Sequence, residues 1–108
     1  MSDLRLYFCT CPDSASAERL AAALVEQGLA ACVNLLPGIR SIYRWQGTIE
    51  QGEEVLLLIK SRDALFTELS AAVLRLHPYE LPELIAVKVD SGLPAYLDWL
   101  RAETGRPD

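Results

Sequence analysis

Histidine occurs once in the 108 residues, at position 77, and the cysteines number only three: Cys9, Cys11 and Cys32. A single histidine rules out a His-Glu-x-x-His zinc protease motif, and Ser-His catalysis would have to recruit His77 with no partner motif in sight. No Gly-x-Gly-x-x-Gly, Walker loop or nucleophile elbow is present, so the dinucleotide, P-loop and hydrolase signatures are all missing. An odd cysteine set without scaffold spacing excludes a disulfide framework and fits a reducing compartment. Positive charge is also scarce. Ten basic against fifteen acidic residues leave a net charge of −5, which argues against general nucleic-acid or anionic-membrane binding. No apolar run approaches the roughly 18–20 residues of a membrane span, and Asp3 and Arg5 interrupt any signal-peptide pattern at the start. These absences lead to the expectation of a soluble, cytoplasmic, non-enzymatic protein with no organic cofactor.

The composition is otherwise that of an ordinary globular chain, with 51% hydrophobic and 23% charged residues, and residues 1–108 suit one domain. Leu4 to Cys9 reads as a strand. Asp13 or Ser14 then caps a helix carrying Ala17, Leu20, Ala21, Leu24 and Val25, which Gly28 stops. Ala31 to Leu36 reads as a strand ended by Pro37-Gly38, and Ile39 to Gln46 alternates as another extended segment. A turn region over Gly47 to Gly52 leads to a strand at Glu53 to Lys60. A helix from about Asp63 to Leu76 buries Leu65, Leu69, Ala72, Val73 and Leu76, and Pro78 forces its end. A strand at Leu84 to Val89 follows, and Pro94 opens a last helix with Tyr96, Leu97, Trp99 and Leu100. This order fits an α+β, ferredoxin-like split βαβ sandwich with an extra C-terminal helix. In such a sandwich both main helices cover one face of the sheet, yet Val55-Leu56-Leu57-Leu58-Ile59 is apolar on both faces. The run therefore calls for a partner subunit.

Two constellations carry chemistry. Cys9 and Cys11, two apart on a strand, turn their thiols to one face. They serve either as small core hydrophobes or as soft donors for copper(I) or zinc; Cys32 reads as core. His77, at a helix end, hydrogen-bonds the final helix carbonyls, faces water, or ligates a metal. The second constellation is Tyr43, Trp45, Glu54, Lys60, Tyr79 and Glu83, aromatic walls with fixed charges. It suits a small-ligand cleft or a wet subunit interface.

Several ordered segments together resemble the CutA divalent-cation tolerance family. They are Cys9-Thr10-Cys11-Pro12-Asp13, Leu29-Ala30-Ala31-Cys32-Val33-Asn34, Ser41-Ile42-Tyr43-Arg44-Trp45-Gln46-Gly47, Glu53-Glu54-Val55 with Lys60, His77-Pro78-Tyr79-Glu80-Leu81-Pro82-Glu83, and Tyr96-Leu97-Asp98-Trp99-Leu100. The resemblance implies a ferredoxin-like subunit in a tight homotrimer, similar in architecture to the P-II signalling proteins, and implies no enzymatic activity. In some members a copper site uses the cysteine of the Cys-Thr-x-Pro segment and two histidines before Pro-Tyr; by position these fall on Cys9, Leu76 and His77. Leucine cannot ligate, which leaves Cys11 as the auxiliary donor. The resulting expectation is a trimeric copper-binding tolerance protein. The alternative is a trimeric sensor that binds a small molecule or partner protein in inter-subunit clefts.

Overall fold

The computed structural model describes residues 3–105. The chain order is β1 (Leu4–Cys11), α1 (Ser14–Glu26), β2 (Cys32–Trp45), β3 (Thr48–Arg62), a 3-10 turn (Asp63–Leu65), α2 (Phe66–Leu76), β4 (Ile85–Lys88) and α3 (Pro94–Ala102). The four strands form one antiparallel sheet in the order β2-β3-β1-β4. Two interleaved βαβ crossovers generate this order, which is the expected split βαβ arrangement.

Side-chain alternation divides the sheet between two environments. Tyr7, Cys9 and Cys11 of β1 and Val55, Leu57 and Ile59 of β3 pack with Ala17, Leu20 and Leu24 of α1 and with Leu69, Ala72 and Val73 of α2 in one buried core. α3 closes a smaller cluster, Leu100 against Leu4 and Ala31. Within the Val55–Ile59 run, residues 55, 57 and 59 are buried against the helices, whereas Leu56 and Leu58 are only half-buried. The doubled apolar pattern thus reflects one face filled within the subunit and a second left partly open.

The structure corrects several expected boundaries. β1 continues through Cys11 because its whole length pairs with β3. Pro37-Gly38 does not end β2. The pair is absorbed as a bulge between Leu36 and Ile39, with Gly38 at φ 79°, and β2 lies at the sheet edge, where proline costs no ladder bond. Thr48 to Gly52 is strand rather than turn. The turn shrinks to Gln46-Gly47, both at positive φ (50° and 82°), between the paired Trp45 and Thr48. Positive φ at both central residues matches the twist of a two-residue hairpin. Leu76 is exposed rather than buried, and Cys32 is half-buried on β2 rather than core.

At the helix ends the local chemistry holds. Asp13 caps α1 by accepting from the Ser16 amide at 2.8 Å, and Pro94 opens α3. Gly28 follows α1 at φ 71°, and a Cβ there would lie 2.6 Å from the Gly105 carbonyl oxygen, while the Gly105 amide donates to the Gly28 carbonyl. Gly28→Ala therefore meets both backbone strain and a backbone clash. It is expected to lower stability by roughly 1–3 kcal/mol, read from the urea midpoint at unchanged denaturant slope.

Candidate metal centre and adjoining cleft

β1 ends at Cys11, directly before the loop into α1, and α2 ends at His77, whose backbone turns extended (φ −78°, ψ 139°) ahead of Pro78. These two ends meet. The Cys9 and Cys11 sulfurs and a His77 ring nitrogen all lie within 4.8 Å of one another, and all three residues are buried. No other group of three or more His, Cys, Asp or Glu side chains converges in this way among the described residues. Leu76, which stands where the resemblance expects a second histidine, is 42% exposed; Cys11 is the third side chain of the converging group.

The imidazole is held at both nitrogens. Its Nε2 lies 2.7 Å from the Thr10 carbonyl oxygen, and its Nδ1 accepts from the Tyr79 amide at 3.0 Å. A carbonyl only accepts and an amide N–H only donates, so the ring is the neutral Nε2–H tautomer. Nε2 is also 3.6 Å from the Cys11 sulfur. The two thiols act as a pair. The Cys9 thiol stabilises a Cys11 thiolate by hydrogen bonding and draws the Cys11 pKa down against the cost of burial. Cys9 is driven up by the same hydrogen bond, by burial and by the neighbouring negative charges. Loss of one proton from the pair is therefore eased, and loss of the second is resisted.

The segment after His77 also builds a second feature. A cavity of about 440 Å³ is lined by Tyr43, Trp45, Tyr79, Glu54, Glu80 and Glu83. Thr10, Pro78 and Leu81 complete it. Thr10 and the His77–Tyr79 turn thus connect the thiol cluster to this cleft. The Tyr79 hydroxyl donates to Glu54 Oε2 at 2.6 Å. Burial, then that hydrogen bond and the Glu54 charge, push the Tyr79 pKa up. Burial and the Glu54 charge raise that of Glu83.

Five of the six residues expected in the cleft line it, together with Glu80, which sequence reading missed although it belongs to the same proline-rich loop. Lys60 does not. Its amine lies 3.4 Å from the Tyr96 hydroxyl and over the Tyr96 ring.

The profile of the CutA1 divalent ion tolerance protein matches residues 5–103. The chain belongs to the CutA1 family. The divalent-cation tolerance protein CutA of Thermus thermophilus is 49% identical over 96 residues, which cover 89% of this chain and 93% of that protein. Human protein CutA is 48% identical over 97 residues, 90% of this chain, but this chain spans only 54% of the human protein's length. Among solved structures, CutA from Xylella fastidiosa superposes with a TM-score of 0.92 at 50% identity, covering 96% of this chain and all of that one. The α+β fold is therefore that of CutA1 structures, with a four-stranded antiparallel sheet and three helices.

Proposed function

We propose that this CutA1 protein binds a soft metal ion, copper(I) in first place, at Cys9, Cys11 and His77, and that it serves cation tolerance as a binding protein rather than a catalyst. The observation that carries this reading is the buried meeting of two thiols and one imidazole within 4.8 Å. Two sulfur donors and one nitrogen suit copper(I) or zinc and disfavour calcium or magnesium, which require hard oxygen ligands. Nε2 is the nitrogen beside the Cys11 sulfur; ligation there requires the ring proton to move to Nδ1, so both the Thr10 and the Tyr79 hydrogen bonds are given up when a metal binds. The paired thiols favour a metal that accepts deprotonated sulfur. Their need to stay reduced agrees with a cytoplasmic site of action, and all three cysteines are free thiols.

Anaerobic titration with copper(I) is expected to give sulfur-to-metal absorption in the ultraviolet that saturates at one ion per chain, with the His77 ring resonances shifting in parallel. Absorption that does not saturate, or a His77 ring that does not respond, removes the site.

The proposal includes a homotrimer. The β2–β3 hairpin beyond Glu54 extends past the end of β1 and pairs only with itself, and Ile42, Tyr43 and Ile49 on it are exposed. A two-stranded arm of this kind is marginal alone, and exposed apolar surface marks a contact site.

A second reading rests on the cleft. Its volume, aromatic walls and fixed charges are those of a small-ligand site, and Thr10 with the His77–Tyr79 turn ties it physically to the thiol cluster.

A further inference from the structure

We propose that the cleft beside Thr10 binds an organic ammonium ion; this rests on the second reading above, that the cleft is a small-ligand site. Three acidic residues, Glu54, Glu80 and Glu83, line the cavity, and none of the residues lining it carries a positive charge. The chain therefore leaves this negative charge uncompensated locally. Glu83 registers the imbalance, since burial and the Glu54 carboxylate both disfavour its ionised form. A cation entering the cleft relieves that repulsion.

The nature of the cation follows from the walls. Three aromatic residues, Tyr43, Trp45 and Tyr79, line the same cavity, and aromatic faces attract organic cations through the ring quadrupole, tryptophan most strongly. A hard divalent ion asks instead for oxygen ligands drawn in to about 2.0–2.6 Å. The carboxylates do not offer such a set: the only converging group of three possible ligands among the described residues is the Cys9–Cys11–His77 cluster. One oxygen of Glu54 is further engaged by the Tyr79 hydroxyl at 2.6 Å, which leaves the other to face the charge of a bound cation. Spread carboxylates, aromatic walls and a cavity of about 440 Å³ suit an ion with a carbon skeleton and a delocalised or alkylated charge.

The test uses the full chain in a Trp99→Phe background, so that Trp45 is the only fluorescent tryptophan. The probes are choline and putrescine as organic cations, calcium as a hard divalent ion, and inorganic phosphate as an anion. Saturable changes in Trp45 emission are expected with choline or putrescine, and the double variant Glu54→Gln, Glu83→Gln is expected to weaken that binding at least tenfold while retaining the wild-type circular dichroism. Trp45 titration by calcium or phosphate with no response to either amine overturns the ammonium assignment and leaves the small-ligand cleft standing. Amine binding that is insensitive to the double substitution also overturns the assignment. Silence to all four probes, checked by calorimetry, overturns the assignment and the cleft reading together.

Discussion

Leu57→Asp is expected to abolish cooperative folding of the subunit. Leu57 has no exposed surface and sits in the core between β1 and the two helices, paired in the sheet with Cys9. Truncating such a leucine to alanine costs roughly 2–5 kcal/mol through lost burial and the residual cavity. An aspartate adds the desolvation of an ion with no partner. The sum reaches the roughly 5–15 kcal/mol that holds a domain of this size together. The measurement is a thermal and urea melt followed by circular dichroism, in which Leu57→Asp should show no cooperative transition, whereas Leu57→Ala should retain one at a lower midpoint. A folded, cooperative Leu57→Asp protein would contradict the placement of β3. Ile42→Asp provides the contrast. Ile42 is 71% exposed on the outer hairpin, so this substitution should leave the subunit folded and shift only its sedimenting mass. From sequence, the apolar Val55–Ile59 run called for a partner subunit. In the structure Leu57 points into its own subunit, and Leu56 and Leu58 are the half-buried side chains of that run.

Cys9→Ser and Cys11→Ser should each cut copper(I) affinity by far more than the roughly 10- to 100-fold lost when a ligand's hydrogen-bond partner is removed. Serine keeps the shape but replaces a soft sulfur donor with a hard, protonated hydroxyl. The double variant should lose stoichiometric binding altogether. His77→Ala should also weaken binding, and it leaves the Thr10 carbonyl and Tyr79 amide without the partners they now have, so its stability must be measured beside its affinity. Leu76→Ala should bind as the wild type does, since Leu76 is exposed and carries no donor atom. Anaerobic competition against a copper(I) chelator decides among these outcomes. Equal affinity for wild type and the double cysteine variant would refute the thiol site.

Much of the architecture was legible before any coordinates. The two main helices are local objects, set by apolar spacing, an Asp13 cap, the Gly28 stop and the Pro78 break, so their positions and ends followed from near neighbours alone. The order of elements then restricted the fold to a split sandwich. The hairpin was the least legible part. Thr48 to Gly52 is polar apart from Ile49 and contains glycine, which reads as loop. The short Gln46-Gly47 turn nevertheless brings it into register with Ile39 to Trp45, and the backbone ladder forms whatever the side chains.

The functional residues divide in the same way. Sequence named Cys9, Cys11 and His77 by donor type, and Tyr43, Trp45, Glu54, Tyr79 and Glu83 by aromatic and charged character. It could not show which of them meet. His77 lies 66 positions after Cys11, and only the pairing of β1 with β3, with α2 laid across the same face, closes that distance. Lys60 shows the converse. It shares a strand with Glu54, but six residues at about 3.3 Å each carry it roughly 20 Å along β3, to the end of the sheet beside α3, where it meets Tyr96. Residue type and local spacing determined the elements and the candidate donors, because both depend on near neighbours. Strand register and helix placement decided which donors form a site, because those contacts exist only once distant segments have packed.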